Sequence, residues 1–284
     1  MESDTKHKIN VNKIVLIIGI IILLTLVVLL YNPQIGIPVP QQAQFNAINT
    51  ALELFKYEFD DYSPSDALDK DAKPYCGAMK LAEAMMGQDL MGFHSDSVFR
   101  SDGQDSSGKL LYGTNSPTVN PTVRKGPYLP IENANVYRLN EIFENVGPLD
   151  GNNYVICDVF TKKRHSGKKT GMPILYYKAD KSKKSHDINN PDNPDNIYNY
   201  KDNHTLLALD VPDQPDKKHP LFEDPKIFYE MTKDYEVAEP NKPHKADSFI
   251  LISAGKDGLY GTVDDITNFY WRWKPSQERR QGGL

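Results

Sequence analysis

The residues best suited to do chemistry lie near the end of the sequence, where three aspartates share one short segment. Asp257, Asp264 and Asp265 follow the apolar run at residues 249–253 and are interleaved with three glycines. Glycine permits the positive backbone dihedrals of a tight loop, and carboxylates are ligands that Ca²⁺ prefers. The spacing therefore predicts a strand followed by a calcium-binding loop, with these three carboxylates as the metal ligands.

A metal-free polar turn is the alternative for this segment. Aspartate-glycine pairs such as Asp257-Gly258 form turns without any metal. The segment also departs from the EF-hand pattern, because no D-x-[DN]-x-[DN]-G begins at Asp257. The spacing alone is compatible with both interpretations.

Motifs for catalysis are weak in this sequence. Its seven histidines are scattered over polar stretches, and no H-E-x-x-H motif is present. Ser106 and Lys109 fit an S-x-x-K pattern, but they lie in a loop-like context rather than at a helix start. We therefore expect no catalytic residues, no organic cofactor and no enzymatic activity.

The N-terminal region predicts a membrane anchor. Residues 14–30 form an uncharged apolar run that is long enough to cross a bilayer as a helix, and we assign the span to 14–31. Three lysines precede the run, so residues 1–13 are expected in the cytoplasm and the rest outside it. The segment at residues 31–34 lacks the small-x-small pattern of a cleaved signal peptide, which favours a retained single-pass anchor in the inner (cytoplasmic) membrane.

The charge of the chain argues against nucleic acid as a partner. The formal net charge is −5 at neutral pH, and a nucleic-acid-binding surface needs an excess of positive charge. The mean hydropathy of −0.55, despite the apolar anchor, indicates a polar, water-exposed remainder. The basic stretch at residues 162–169 is interpreted as a solvated hairpin loop.

The organisation of the exported part follows from changes in composition. A proline-rich spacer at 32–42 precedes an extracytoplasmic domain at 43–273, and a flexible tail occupies 274–284. Within that domain, residues 180–245 are rich in Asn, Asp, Pro and Lys and are expected to form a long, irregular surface insertion.

The predicted fold class is α+β, with an amphipathic helix packed on an antiparallel sheet. Apolar residues at helical spacing mark a first helix between Phe45 and Phe59, whose apolar face needs a sheet to cover it. Two further helices are predicted, from Ala78 to a stop at Gly87 and from Val136 to Val146. Strands are predicted at 154–160, 172–178, 249–253 and 269–273.

Sulfur-containing residues are interpreted as core residues. Cys157 lies in an apolar strand, where a free buried thiol is favoured over a disulfide with Cys76, although the exported compartment permits pairing. Four methionines are expected to fill the core: Met79, Met85, Met86 and Met91.

Three places in this sequence resemble the major pseudopilin of type II secretion systems. Residues 45–64, which end in Tyr62-Ser63-Pro64, are similar to the helix that leads into that family's globular head. Residues 171–177 resemble its G-x-P-Y-x-Y strand, and residues 253–266 resemble its calcium loop. The resemblance covers about half of the chain, and the calcium loop is its most specific part.

The resemblance implies a structural role in protein secretion. Subunits of that family pack their hydrophobic helices into a short periplasmic filament, and bound calcium holds the C-terminal loop against the sheet. The implied carboxylate ligands fall on Asp257, Asp264 and Asp265. The prepilin peptidase site is missing, because residues 9–30 contain no acidic residue where the family has a glutamate.

Two functions are therefore considered. The first is a membrane-anchored, calcium-binding, pseudopilin-like protein of a secretion or pilus-like assembly, with other such subunits or envelope proteins as partners. The alternative is an anchored module that binds a cell-envelope polymer or a partner protein through residues 180–245 and does not polymerise.

The membrane anchor gives a first testable prediction. If the apolar segment is retained, the membrane-extracted protein has the mass of the whole chain, 32.2 kDa. Mass spectrometry of the intact protein measures this directly. A mass that lacks the first thirty or so residues would contradict a retained anchor.

Overall fold

Helices and short antiparallel strands alternate along the chain in a computed structural model that describes residues 39–113, 123–214, 216–237 and 241–269. This arrangement confirms the α+β class. The predicted membrane segment, residues 14–31, lies outside the described part, as do residues 1–13 and the tail at 274–284. Within the described ranges no helix is both long enough and apolar enough to cross a membrane.

The helices vary widely in length. Of the helices in the described ranges, the two longest are α1 (Val39–Phe59) and α2 (Gly77–Met86). The shorter ones are α3 (Ile131–Ala134), α4 (Leu139–Ile142), a 3₁₀ helix (Tyr200–Asn203), α5 (His204–Leu207), α6 (Pro220–Glu223) and α7 (Pro225–Thr232).

The strands are short and pair antiparallel. They are β1 (Phe93–His94), β2 (Arg124–Lys125), β3 (Val136–Arg138), β4 (Tyr154–Ile156), β5 (Lys162–Lys163), β6 (Lys169–Thr170), β7 (Leu175–Lys178), β8 (Phe249–Ser253) and β9 (Ile266–Thr267). Three pairs, β1-β2, β3-β4 and β5-β6, form two-stranded ribbons, and β7-β8-β9 form a three-stranded sheet. The ribbon β5-β6 agrees with the predicted basic hairpin.

Helix α1 presents the predicted apolar face. Phe45, Ile48, Leu52 and Phe55 are buried, as their helical spacing requires. The helix begins at Val39, inside the stretch predicted as a spacer at 32–42. Proline in the first helical turn is tolerated, because the N–H groups there have no partner within the helix.

The sheet β7-β8-β9 is the centre of the fold. Strand β8 is its middle strand and pairs with β7 from Leu175↔Ile252 to Lys178↔Phe249. All five residues of β8 are buried, although a strand with one solvent-facing side would alternate. The continuous burial means that both faces of the sheet are covered.

Each face of the sheet is covered by a different part of the chain. On one face, Phe249 contacts the ring of Tyr62, which follows α1, with 4.9 Å between ring centroids. On the other face, Tyr177 lies 4.6 Å from Phe228 of α7, measured between ring centroids. Residues of α7 therefore supply part of the second covering layer.

The expectation of a surface excursion at residues 180–245 is wrong for the apolar positions of that segment. Those side chains join the same core as the sheet, namely Ile197, Tyr198, Leu206, Leu207, Leu209, Leu221, Phe228, Tyr229 and Met231. They are spaced irregularly among polar residues, so no periodicity reveals them. A sheet with two apolar faces requires such a covering layer.

The predicted helix between Val136 and Val146 is also wrong. Its first residues form β3, which pairs with β4, and only Leu139–Ile142 make a helical turn. The apolar residues Leu139, Ile142 and Phe143 are buried as expected. Pairing with a neighbouring strand, which a local pattern does not contain, overrides the helical spacing.

The remaining strand predictions hold in part. Residues 249–253 form β8 as predicted, whereas 154–160 and 172–178 yield the shorter β4 and β7. Cys157 makes only an isolated bridge to Pro173, which has no N–H to continue the ladder. Most of the predicted strand at 269–273 lies outside the described residues.

The sulfur-containing residues lie mostly in the core. Cys76 and Cys157 are both free, buried thiols, so the favoured interpretation of Cys157 is confirmed. Three of the four methionines are buried as core filler. Met91 is the exception, with 44% of its surface exposed.

The covering layer gives a second prediction, at Phe228. Replacing this buried ring with alanine should lower the free energy of unfolding by about 3–5 kcal/mol, because it leaves a cavity against Tyr177. Urea unfolding of the detergent-solubilised chain, followed by near-ultraviolet circular dichroism, measures the change. In the same helix, Lys226→Ala alters an exposed side chain and should stay within about 0.5 kcal/mol of the parent. Equal stabilities for the two variants would contradict the role of α7.

Candidate metal centre

The three predicted aspartates lie in the connection between β8 and β9. Strand β9 turns back onto β8, and Ser253 faces Ile266 across the two strands. Residues 254–265 therefore form a hairpin loop whose two ends are held by the sheet. The structure confirms the predicted order of strand and loop.

Hydrogen bonds within the loop connect all three carboxylates to its backbone or side chains. The Asp257 N–H donates to Asp264 Oδ2 at 3.0 Å, and the Leu259 N–H donates to Asp257 Oδ1 at 2.7 Å. The Gly261 N–H donates to Asp265 Oδ2 at 2.7 Å. Each aspartate thus accepts at least one hydrogen bond from an N–H group of the loop.

The carboxylates are close enough to affect one another's ionisation. Burial raises the pKa of Asp265 well above its usual range, and the negative charges of Asp264 and Asp257 add to the shift. Burial also raises the pKa of Asp257, with a further contribution from Asp264. Burial and the neighbouring carboxylates therefore disfavour the ionised forms of Asp257 and Asp265, and a bound cation would favour them.

Gly255 permits this arrangement of the loop. Its φ of 63° lies in the left-handed region, which favours glycine. A Cβ at this position would lie 2.3 Å from the carbonyl oxygen of Asp264 and 2.7 Å from its Oδ2. The absence of a side chain at residue 255 thus allows the backbone to approach a predicted ligand.

Residues far away in the sequence support the loop from outside. Lys162 Nζ and Gln214 Nε2 both donate to the Asp257 carbonyl, at 3.0 and 3.3 Å. The Tyr260 N–H donates to His219 Nδ1 at 3.2 Å, and the Leu221 N–H donates to the Tyr260 carbonyl at 3.1 Å. Three of these four supporting residues belong to the segment 180–245.

A buried fourth aspartate connects the loop to the rest of the fold. Asp158 Oδ2 accepts a hydrogen bond from Ser253 Oγ at 2.8 Å, and Oδ1 accepts one from the Met172 N–H at 3.1 Å. Burial raises the pKa of Asp158 to about 7. A Cβ on Gly171 would lie 2.3 Å from its Oδ1, so glycine is needed there as well.

The donor atoms of the loop suit calcium in kind. Asp257, Asp264 and Asp265 supply only hard oxygens, and a non-helical loop adds carbonyl oxygens, which together match the ligands of Ca²⁺. Across the ranges that the structure describes, no three His, Cys, Asp or Glu side chains are gathered as a metal-ligand set. The structure thus brings the three aspartates into one loop without converging them on a single point.

The sequence pattern does not identify the polar residues outside the loop that support it. Lys162, Gln214 and His219 are separated from it by tens of residues and carry no motif. Asp158 gives a weak signal, because it directly follows the apolar strand at 154–157.

Comparison of the chain with protein-family models, with curated proteins and with solved structures finds no match.

Gly255 gives the third prediction. Gly255→Ala should cost more than about 2 kcal/mol in free energy of unfolding, since it combines left-handed strain with a steric clash. Gly167→Ala is the matched control, because Gly167 has a φ of 80° but no atom within 4 Å of the added Cβ. Thermal unfolding of both variants separates the contribution of left-handed strain from that of the steric clash. A smaller loss for Gly255→Ala than for Gly167→Ala would show that the close approach to Asp264 is not required.

Proposed function

We propose that this chain is a membrane-anchored, calcium-binding structural protein of the pseudopilin-like kind, which acts in a type II secretion or pilus-like assembly. The observation that carries the proposal is the loop between β8 and β9, in which Asp257, Asp264 and Asp265 are held by two strands of the sheet. Its assignment to this family rests on the sequence resemblance.

Calcium would act in this proposal by fastening the loop. Binding supplies positive charge among three carboxylates, two of which, Asp257 and Asp265, have raised pKa values. In this proposal the three carboxylates turn towards one cation, which takes the place of their present hydrogen bonds to loop N–H groups. Because the loop ends in β9, an ordered loop keeps the edge strand paired with β8.

Contact with other subunits is supported by an exposed part of α1. Leu54 and Tyr57 lie on the outer face of the helix, three residues apart, with 50% and 87% of their surface exposed. Residues three apart are neighbours on a helix surface, so the two side chains form one small apolar patch. In a pseudopilin-like assembly, neighbouring subunits would pack against this part of the helix.

The alternative, an anchored binding module that uses residues 180–245 as its recognition surface, is less well supported. Many apolar side chains of that segment lie in the core, including Phe228 and Tyr229, and are not available to a partner. Deletion of the segment would also expose one face of the sheet. Loss of binding in such a deletion would therefore report loss of folding.

The calcium proposal gives the fourth prediction. Binding at about 100 times the dissociation constant adds about 2.7 kcal/mol to the stability of the folded state. For a chain of this size, that raises the melting temperature by about 5–10 °C. Asp264→Asn keeps an acceptor for the Asp257 N–H but removes one charge, so most of this calcium-dependent increase should disappear. Differential scanning fluorimetry with calcium and with a chelator measures the increase.

The control for this experiment is Asp195→Asn, which removes one charge from an exposed aspartate in the segment 180–245. This variant should keep the full calcium-dependent increase. Magnesium should stabilise the parent less, because it demands near-ideal octahedral geometry and gives up its water reluctantly. A parent protein whose melting temperature is the same with calcium and with chelator would refute the proposal.

A further inference from the structure

A second polar site lies in a cleft on the side of the molecule where the chain leaves α1. The cleft has a volume of about 770 Å³ and is formed by the turn after α1, the end of β7, the loop at 191–199 and the 3₁₀ helix. We call it the Asp202 cleft. Residues that line it include Asp61, Ser65, Lys178, Asn193, Tyr198 and Asp202.

Asp202 is the distinctive group of the cleft. Its surface is only 5% exposed, yet among the described residues only one of its carboxylate oxygens, Oδ2, has a hydrogen-bond partner. Oδ2 accepts a hydrogen bond from Ser65 Oγ, and Ser65 Oγ in turn accepts one from the Lys178 N–H at 3.0 Å. Asp202 lines the cleft and Ser65 occupies Oδ2, which leaves Oδ1 as the oxygen available to a ligand.

No described cation pairs with Asp202. The lysines of the cleft interact with other groups: Lys178 pairs with Asp61, Lys201 pairs with Asp192, Lys183 donates to the Pro194 carbonyl, and Lys181 attracts Asp61. Lys80, the nearest buried lysine, donates its Nζ hydrogens to the carbonyls of Asp66 and Leu68, at 2.8 and 2.9 Å. With six aspartates against four lysines, the lining also favours a cation over an anion.

The cleft is unsuited to two other kinds of ligand. Asp202 is the one buried carboxylate among the described residues of the cleft, whereas Ca²⁺ takes six to eight oxygen ligands. Sugar rings bind by stacking on exposed aromatic faces, but Tyr198 and Tyr229 are fully buried here. The hydroxyl of Tyr229 is also engaged, by the Tyr198 carbonyl at 2.9 Å.

We propose that the Asp202 cleft binds a primary ammonium group, either of a small amine or of a lysine side chain, with Asp202 Oδ1 as its acceptor. An ammonium group supplies three hydrogen-bond donors and a positive charge, which the buried carboxylate lacks. The site is separate from the calcium loop, so either proposal can fail while the other holds.

The charged and titratable groups around Asp202 determine how binding depends on pH. They are Asp66 in the loop after α1, Lys80 on α2, Tyr176 and Tyr177 on β7, and Tyr229 on α7. Burial raises the pKa of Asp202 to about 8, and Asp66 adds to the shift whereas Ser65 and Lys80 oppose it. Below that pH the carboxyl carries a proton, which must leave before an ammonium group can bind.

The test compares cadaverine with 1,5-pentanediol, its neutral counterpart, by calorimetric titration of the detergent-solubilised full chain. Cadaverine should bind about 10-fold or more tightly than the diol, because only the amine is charged. Its affinity should rise about 10-fold per pH unit below pH 8 and level off above that value, as the carboxyl loses its proton. The titration is repeated with Nα-acetyl-lysine-amide, which carries its ammonium group on a lysine side chain. Comparison of the two affinities tells whether the site prefers a lysine side chain or a free amine.

Two variants with the same change of charge locate the site. Asp202→Asn should weaken cadaverine binding about 10-fold or more, since an amide gives up the ionic attraction. Asp192→Asn removes an exposed carboxylate at the rim of the same cleft and should change the affinity less than about 2-fold. If Asp202→Asn does not fold, the comparison of cadaverine with 1,5-pentanediol in the parent decides.

Several results would overturn the proposal. One is equal binding of the amine and the diol. Another is an equal loss in the Asp192→Asn and Asp202→Asn variants. Absence of binding by both cadaverine and Nα-acetyl-lysine-amide, or binding of inorganic phosphate or a chitin oligosaccharide instead, would also exclude an ammonium site.

Discussion

The burial of the sheet β7-β8-β9 on both faces is the constraint on which the rest of the described structure depends. A three-stranded sheet has two apolar faces if its middle strand is apolar throughout, and β8 is buried at every position. One layer can cover only one face. Tyr62, which follows α1, contacts the first face, and the second is covered in part by α7, through Phe228. The segment 180–245 is polar in composition, yet nine of its apolar side chains join the core.

This constraint also holds the candidate metal loop in place. The loop connects β8 to β9, and its outer side contacts Gln214, His219 and Leu221 of the segment that covers the sheet. Burial of the sheet and support of the loop therefore come from one stretch of chain. A substitution that loosens that stretch would disturb the packing on the sheet and the support of the loop together. Separate variants are therefore needed to tell these two effects apart.

Sequence patterns predicted the parts of the fold that depend on residues close together in the sequence. The apolar face of α1, the end of α2 at Gly87, the strand at 249–253 and the loop after it all follow from residue spacing or from glycine. Errors arose where a distant partner decides the structure. Val136 pairs with Ile156 in a strand, although its spacing is helical. Likewise, Lys162 and Gln214 reach the candidate site only through folding, and Asp202 lies in a segment whose composition suggested solvent.

The buried carboxylates of this protein differ in how fully they are satisfied, and this difference separates structural groups from candidate binding groups. Glu83 accepts four hydrogen bonds, from Tyr75, Gln88, Ser97 and Tyr112. Asp158 accepts three, from Phe160, Met172 and Ser253. Asp265 accepts one short bond and one of 3.5 Å, and Asp202 accepts one. A hydrogen bond to a charged group contributes about 1.5–3 kcal/mol, so Glu83 has far more compensation for its burial than Asp202 or Asp265. The carboxylates with the fewest donors are thus the ones with most to gain from an external cation, which is the reason for proposing an ammonium group at Asp202 and calcium at Asp265.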